Sequence, residues 1–378
     1  MAFSPITLFA ALLHLYIGWR VLPGLAAWPL AQAGFGAFLV ASAIVMPMGL
    51  HSRRSKKKRP VLTWASLLFM GAFSSLFVLT LLRDVLLLAA ALLLLVAPQA
   101  FAIEALRVAS AAAVPLAAGV ATVWGFLNAR RTAAIVAVDV PIRDLPAALH
   151  GFTIAQITDV HIGATIQRDY LSAIVAKVNR LDADMVAVTG DLVDGSVLEL
   201  AQHVAPLAGL TSRHGTYFVT GNHEYYSGAT AWVAELRRLG VQVLMNEHVM
   251  LRHGGAAVLL AGVADYGAHH FEPSQRSDPA AAMAGAPHDA GVKLLLAHQP
   301  RSAAAAAAAG FDLQLSGHTH GGQFLPWNFF VRLQQPFTAG LHRLKNLWVY
   351  TSRGTGYWGP PKRFGAPSEI TRLRLVPA

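Results

Sequence analysis

Long runs of hydrophobic residues, separated by short polar or charged segments, dominate the first third of the chain. A helix needs about 20 apolar residues to cross the hydrocarbon core of a bilayer, and several of these runs approach that length. We therefore predict a transmembrane anchor of about five helices over residues 1–127. Pro98 and Gln99 interrupt the fourth run, so the alternative for it is a re-entrant hairpin with the third. The predicted spans are residues 4–22, 30–50, 61–82, 85–103 and 108–127.

Beyond residue 127 the pattern changes to short runs rich in β-branched residues, which alternate with amphipathic or Ala-rich stretches. This alternation predicts an α/β fold. We expect a linker over residues 128–149, then one domain over residues 150–378 with an irregular surface insertion at 265–290. Helices are predicted at residues 169–180, 198–207, 229–239 and 300–309. The predicted strands are residues 152–158, 185–189, 216–220, 241–244, 257–261, 292–297, 311–315, 347–351 and 370–375.

Charge is distributed unevenly between the two parts. Residues 1–127 hold nine Lys or Arg and two Asp or Glu, so they carry +7 of the formal net charge of +10. Six of the positive charges form one run, from Arg53 to Arg59, between two predicted spans. Because basic residues beside spans are retained in the cytoplasm, we interpret the run as a cytoplasmic loop and predict no nucleic-acid partner. Five spans then place residues 128–378 outside the cytoplasm, whereas four spans place them inside.

Composition narrows the chemistry further. Hydrophobic residues make up 54% of the chain and charged residues 13%, which is too apolar for one ordinary soluble fold. The sequence contains no Cys, which excludes disulfides, thiolate metal sites, Fe–S clusters and cysteine nucleophiles. A metal site in this chain must therefore be built from oxygen and nitrogen ligands.

Five of the predicted strands are followed directly by Asp, His or Asn residues. In open α/β sheets, ligands bind in the crevice beyond the carboxyl ends of the strands, so these side chains can converge on one site. They supply seven metal ligands, and a mixed oxygen and nitrogen set without sulfur suits Mn, Fe or Zn. In chain order the seven ligand candidates are Asp159, His161, Asp191, Asn222, His298, His318 and His320, and His223 is an eighth residue that follows a strand.

The spacing of these residues has a physical interpretation. Asp159 and His161 are two apart, which in an extended chain places both on one face, and His318 and His320 repeat the arrangement. Asn222 and its neighbour His223 are expected to point in different directions, so that one binds metal while the other faces substrate. Glycines in the same segments allow the backbone to approach ions or phosphate closely.

The blocks D-x-H, G-D, G-N-H-E, H and G-H-T-H occur in this order within residues 150–378. The chain thereby resembles the calcineurin-like metallophosphoesterase superfamily. The tail from Thr351 to Ile370 is similar to its bacterial membrane-anchored branch, which usually has a second Pro where Ser368 stands. The resemblance implies a four-layer α/β/β/α sandwich in a protein of the bacterial inner or plasma membrane. It also implies two divalent ions, the first bound by Asp159, His161 and His320, the second by Asn222, His298 and His318, with Asp191 bridging them.

The implied reaction is hydrolysis of a phosphate ester by in-line attack of a hydroxide that bridges the two ions. His223 would then be catalytic, since the resemblance implies that it contacts the scissile phosphate and assists the leaving group. Two alternatives stay open: a nucleotide-sugar lipid pyrophosphate hydrolase and, from a different class, a catalytically inactive membrane scaffold or sensor. For Asp194 and Glu224 a local hydrogen-bonding role is favoured over catalysis.

The substrate is predicted to be membrane-associated, either a lipid phosphate or a lipid-linked pyrophosphate. The apolar residues 324–331 follow directly on His320, and Trp327 among them is predicted to contact the apolar part of the substrate. Packing of this stretch against the domain is an equally weighted alternative. Arg353 is a candidate for binding the substrate phosphate, with a salt bridge or surface role equally open. No oligomeric state is predicted.

Overall fold

The computed structural model describes residues 5–54, 59–287 and 290–378. The chain divides into two compact units. The first is Met1–Leu127 together with Gly359–Phe364, and the second is Asn128–Trp358 together with Gly365–Ala378. Of the basic run that the sequence predicts as a cytoplasmic loop, residues 55–58 lie outside the described residues.

Four helices among the described residues are long and apolar enough to cross a membrane. The sequence predicts five, with a turn at Arg83 and Asp84, and this prediction is wrong because the third and fourth predicted spans form one continuous helix of 37 residues. At 1.5 Å per residue this helix is about 55 Å long, more than the roughly 30 Å of a bilayer core. The four helices are α1 (Pro5–Val21), α2 (Pro29–Arg54), α3 (Pro60–Val96) and α4 (Ile103–Arg130).

Arg83 and Asp84 remain inside α3 because their polar groups are paired within the helical unit. Asp84 accepts hydrogen bonds from Arg20 Nε at 2.9 Å and from the Tyr16 hydroxyl at 2.6 Å. Arg83 is buried and donates to the backbone carbonyls of Arg20 at 3.0 Å and Arg107 at 3.1 Å. A charged pair with satisfied hydrogen bonds can continue an apolar helix, whereas an unpaired one would favour an end.

A short segment from near the end of the chain completes the helical unit. Within Gly359–Phe364, Lys362 and Arg363 are both buried. The Lys362 ammonium donates to the carbonyl of Gly71 at 2.8 Å, and the Arg363 backbone N–H donates to the carbonyl of Gly125 at 2.8 Å. The helical unit is therefore assembled from two stretches that are distant in sequence.

The second unit contains two six-stranded sheets, ordered β1-β12-β2-β3-β4-β5 and β10-β11-β9-β8-β7-β6. Strands β2 to β5 run parallel in the first sheet, and β7, β8, β9 and β11 run parallel in the second. The strands are β1 (Ala134–Ile142), β2 (Thr153–Ile157), β3 (Met185–Val188), β4 (Thr216–Phe218), β5 (Gln242–Val243), β6 (Glu247–His253), β7 (Ala256–Gly262), β8 (Val292–Leu296), β9 (Leu313–Ser316), β10 (Gly340–Leu344), β11 (Leu347–Thr351) and β12 (Glu369–Pro377). The helices are α5 (Arg168–Asn179), α6 (Val197–Val204), α7 (Asn222–Ser227), α8 (Ala229–Arg238), α9 (Pro279–Met283), α10 (Ala303–Ala308) and α11 (Trp327–Phe330).

The predicted four-layer α/β/β/α sandwich is confirmed, and the alternation of side chains along the strands explains its layers. Ile154 of β2 belongs to a core between the sheets that also contains Leu294 of β8. The next residue, Ala155, belongs instead to the core beneath the helices of the first sheet, with Trp232 of α8. On the far side, Leu295 belongs to a third core with residues of α9 and α10. Each sheet is thus covered on both faces.

Part of the predicted linker, residues 128–149, forms a strand in the structure. Residues 134–142 form β1, which pairs in parallel with β12 at the edge of the first sheet. The predicted insertion at 265–290 contains the short helix α9 and two 3₁₀ turns, with residues 288–289 outside the described part of the chain.

Candidate metal centre

The candidate ligands lie in the loops that follow the carboxyl ends of β2, β3, β4, β8 and β9. Because these strands belong to the central parallel parts of two packed sheets, their carboxyl ends open onto one region. The structure brings six of the seven ligand candidates and His223 together there, as the following distances describe, and the seventh, Asn222, directly precedes His223 at the start of α7.

A first group consists of Asp159, His161 and His320, whose nearest ligand atoms all lie within 4.8 Å of one another. His161 Nε2 is 3.0 Å from His320 Nε2, and His320 Nε2 is 3.3 Å from Asp159 Oδ1. All three residues are buried. This is the set that the sequence assigns to the first ion.

A second group consists of Asp191, His298 and His318. His298 Nε2 lies 3.2 Å from Asp191 Oδ2 and 3.2 Å from His318 Nδ1. Asp191 Oδ2 is also 3.8 Å from His161 Nε2, so this carboxylate lies between the two groups. His298 Nδ1 is 2.8 Å from the carbonyl of Thr189, to which it donates, and this bond leaves Nε2 as the nitrogen that faces the centre.

Two observations test whether these residues fit metal ions. Asn222 Oδ1 is buried and accepts no hydrogen bond from any of the described residues, as expected of an amide oxygen whose partner is a cation. The backbone also presses onto the carboxylates: a Cβ on Gly317 would lie 2.2 Å from Asp159 Oδ2, and one on Gly221 would lie 2.2 Å from Asp191 Oδ1. The donor set fits divalent metal ions.

The local backbone differs from the extended chain that the spacing suggests. Asp159 and His161 have φ of 52° and 56°, and His318 and His320 have φ of 68° and 52°. Asp191 adopts the same left-handed conformation, with φ of 52°. The prediction that each pair shares a face of an extended strand is therefore wrong; tight left-handed turns bring the pairs together. Left-handed backbone is costly for residues other than Gly and collects at functional sites.

Asp194 orients two of the imidazoles. Its Oδ1 accepts hydrogen bonds from His161 Nδ1 at 2.9 Å and from His223 Nδ1 at 2.7 Å. Both rings therefore turn their Nε2 atoms inward, and His223 Nε2 lies 4.0 Å from Asp191 Oδ2. The local hydrogen-bonding role that the sequence favours for Asp194 thus acts on a candidate ligand and on the candidate catalytic residue. The only feature of the sequence that points to this orienting role is the presence of a second Asp three residues after Asp191.

The same contacts shift the ionisation of His223 and Asp194. Burial lowers the pKa of His223, but the hydrogen bond to Asp194 and the charges of Asp191 and Asp194 outweigh it and raise the pKa to about 9. Burial raises the pKa of Asp194, yet the charges of His161 and His223 and their hydrogen bonds hold it well below its usual range. A carboxylate that stays ionised can therefore support a protonated His223.

In the second group, the pKa values of the two imidazoles shift in opposite directions. Burial lowers the pKa of His298, but the charge of Asp191 and a hydrogen bond to it raise this pKa well above its usual value. Burial and the positive charge of His298 lower the pKa of His318 to about 3. The carboxylate charge that raises the pKa of His298 is also a charge that divalent cations can neutralise.

Glu224 links two of the ligand-bearing loops. Its buried carboxylate accepts hydrogen bonds from the backbone N–H groups of Asp191 at 2.9 Å, Leu192 at 2.8 Å and Gly221 at 2.6 Å. This is the local role that the sequence favours for Glu224. Its effect is to fix the loop after β3 against the loop after β4.

The two candidates for substrate binding occupy different positions. Arg353 donates to Glu369 Oε2 from Nε and from a terminal nitrogen, both at 2.6 Å, which is the salt bridge that the sequence left open. Its side chain lies against Gly321, one residue after His320. Trp327 is half-exposed on α11, with its ring 5.8 Å from that of Phe330.

Comparison with known proteins matches the chain to one family. Residues 152–322 match the family described as calcineurin-like phosphoesterase. A "Transmembrane protein with metallophosphoesterase domain" from Bos taurus is 42% identical over 271 residues, which cover 68% of this chain and 61% of that protein. The chain thus spans about three fifths of the length of that relative.

Bacterial relatives are similar to the chain as well. An "Uncharacterized metallophosphoesterase" of Helicobacter pylori (strain ATCC 700392 / 26695) is 42% identical over 226 residues, covering 58% of this chain and 59% of that protein. Another, from Aquifex aeolicus (strain VF5), is 31% identical over 224 residues, covering 59% of this chain and 84% of that protein. The similarity therefore extends to both bacterial and animal proteins.

Proposed function

Since the chain belongs to the calcineurin-like metallophosphoesterases, we propose that it is a membrane-anchored hydrolase of phosphate esters that uses two divalent metal ions. One observation carries the proposal: two groups of three ligands meet at Asp191, beside an imidazole that Asp194 orients. Asp159, His161 and His320 would hold one ion, Asn222, His298 and His318 the other, and Asp191 both. The ions could be Mn, Fe or Zn, given a donor set without sulfur.

When bound, the two ions would lower the pKa of a water molecule and neutralise charge on the phosphoryl group. The chain's own part is positioning and proton transfer. Asp194 holds His223 with Nε2 facing the ligand cluster, and the raised pKa of His223 favours a protonated ring. We assign to this ring the donation of a proton from Nε2 to the leaving oxygen, as a general acid.

The number of helices supports a cytoplasmic catalytic domain. Four crossings return the chain to the side on which it starts, and the loop between α2 and α3 lies on that same side. That loop contains the basic run of residues 53–59, and basic loops are retained in the cytoplasm. We therefore reverse the external placement that five spans predicted. For the substrate, we retain a membrane-associated phosphate ester, with a lipid-linked pyrophosphate as the alternative.

The test uses the full chain purified in detergent. Metal content is measured in parallel with hydrolysis of a phosphomonoester, a phosphodiester and a pyrophosphate. His223→Ala is expected to keep both ions and to lose about 10²–10⁴-fold in kcat, the usual contribution of a positioned acid. The matched control is His270→Ala, an exposed histidine outside the site, which is expected to behave as wild type. A metal-loaded wild type that hydrolyses none of the three substrates would support the inactive scaffold or sensor instead.

A further inference from the structure

Three large aromatic side chains are exposed beside the candidate catalytic histidine. Trp358, Tyr226 and Phe271 are 50%, 63% and 52% exposed. They come from different segments: the loop that follows β11, the helix α7 and the insertion at residues 265–290. Exposed aromatic residues that gather at one place are uncommon on a soluble surface and indicate binding.

The three rings are continuous with His223. The Trp358 ring lies 5.8 Å from the His223 ring and the Tyr226 ring lies 5.1 Å from it, both in edge-on contact. Phe271 extends the row, 5.5 Å from Tyr226. We call Trp358, Tyr226 and Phe271 the aromatic row.

The backbone of Trp358 is fixed relative to the ligand loop. Gln323, three residues after His320, donates from Nε2 to the Trp358 carbonyl at 2.9 Å and accepts from the Trp358 N–H at 2.8 Å. The other end of the row is also supported, because Phe271 packs 5.8 Å from Tyr225, whose hydroxyl bonds Gln275 at 2.6 Å. The rings are therefore held in place even though their outer surfaces are open to solvent.

We propose that the aromatic row is the binding site for the leaving group of the substrate and that it selects an apolar leaving group. The proposal rests on the proposed function, because it uses His223 as the group nearest the departing oxygen. A leaving group attached to that oxygen extends past the His223 ring and along the rings that contact it. None of the three side chains carries a charge, so the row favours an apolar alcohol over a sugar or a second phosphate.

The test compares three esters that share one phosphoryl group and differ in the alcohol: glycerol, 1-naphthol and dodecanol. They are prepared as monoesters or as methyl diesters, whichever class the enzyme hydrolyses. The wild type is expected to have a higher kcat/KM for the naphthyl and dodecyl esters than for the glyceryl ester. Trp358→Ala and Tyr226→Ala are each expected to reduce that preference about tenfold, the scale of one lost apolar contact in a pocket. Trp358→Phe is expected to restore much of it.

Several outcomes overturn the inference. If the alanine variants lose kcat/KM equally on all three esters, the aromatic row only supports His223. If they lose no kcat/KM, the row has no role in binding. A selective loss of activity on the apolar esters in Trp327→Ala, with none in Trp358→Ala, would move the apolar site to α11.

Other outcomes support the inference and identify the leaving group. Loss of preference for the naphthyl ester alone supports a planar alcohol as the ligand, whereas loss of preference for both apolar esters supports the lipid chain as well. If the wild type hydrolyses all three esters at equal rates, the aromatic row does not select the leaving group, but the phosphoesterase proposal stands. If the wild type hydrolyses none of them, the phosphoesterase proposal itself is refuted.

Discussion

Replacing Asp194 tests how much of the centre depends on a residue that orients two histidines and is not among the proposed metal ligands. Two of its hydrogen bonds, from His161 Nδ1 and His223 Nδ1, reach the same oxygen, Oδ1. An Asn at this position can keep an oxygen there, so Asp194→Asn removes the charge while it retains two acceptor contacts. Asp194→Ala removes the charge and leaves both N–H groups without this acceptor, where the side chains of His161 and His223 are only 1% and 15% exposed.

The expected magnitudes follow from these contacts. Loss of a residue that orients a metal-binding histidine typically costs 10- to 100-fold in metal affinity or activity, so we expect this range in kcat/KM for Asp194→Asn. It corresponds to about 1.4–2.7 kcal/mol. Each buried donor left unpaired costs about 1–3 kcal/mol more, so Asp194→Ala is expected to lose further activity and, through His161, metal from the first group.

The assay measures kcat/KM and metal content for both variants, with Asp169→Asn as the control because Asp169 is an exposed residue at the start of α5. The ordering matters more than the absolute losses. We expect the kcat/KM of the control to equal that of the wild type, the kcat/KM of Asp194→Asn to be intermediate and that of Asp194→Ala to be lowest. Wild-type kcat/KM and full metal content in Asp194→Ala would refute the orienting role.

Three further predictions concern other parts of the molecule. Asp191→Asn is expected to weaken both metal sites, and elemental analysis that finds full occupancy in an active variant would contradict its placement between them. Glu224→Ala leaves three buried N–H groups unpaired, at a cost of about 1–3 kcal/mol each, so the melting temperature and the metal affinity are both expected to fall. An unchanged melting curve would contradict the role of Glu224 in fixing the loop after β3 against the loop after β4. A fluorescent reporter that matures only in the cytoplasm, fused after Ala378, is expected to be bright, and a dark fusion with an active external reporter would restore the five-span topology.

The strands that the sequence predicts are mostly interior strands, with β5 as the exception, and those it misses lie at sheet edges. β2, β3, β8 and β11 are short, predominantly apolar segments because both of their faces are covered. β1, β6 and β10 are all edge strands, and charged residues such as Arg252 and Arg343 interrupt their apolar pattern. An edge strand is identified by the neighbour with which it pairs, and that neighbour is distant in sequence.

The candidate site shows the same division between what is local and what is not. The order of Asp, Asn and His residues after strands predicts which side chains gather, because strand direction alone brings loop ends together. The sequence does not predict how they gather, since the left-handed backbone of Asp159 and His318 depends on contacts with other loops. Nor does it predict that Arg83 and Asp84 stay inside a helix, which depends on partners such as Arg20.

The segment Gly359–Phe364 has a consequence for how the protein is made. The four helices leave the ribosome long before this segment is synthesised, yet Lys362 and Arg363 are among its buried residues. The hydrogen bonds from the Lys362 ammonium to the Gly71 carbonyl and from the Arg363 N–H to the Gly125 carbonyl can therefore form only after residues 359–364 have been synthesised. Assembly of the helical unit would then be completed only after residues 128–358 of the second unit have been synthesised. A fragment of residues 1–127 would lack the segment Gly359–Phe364, and a fragment of residues 128–378 would expose the two cationic side chains that are buried in the full chain.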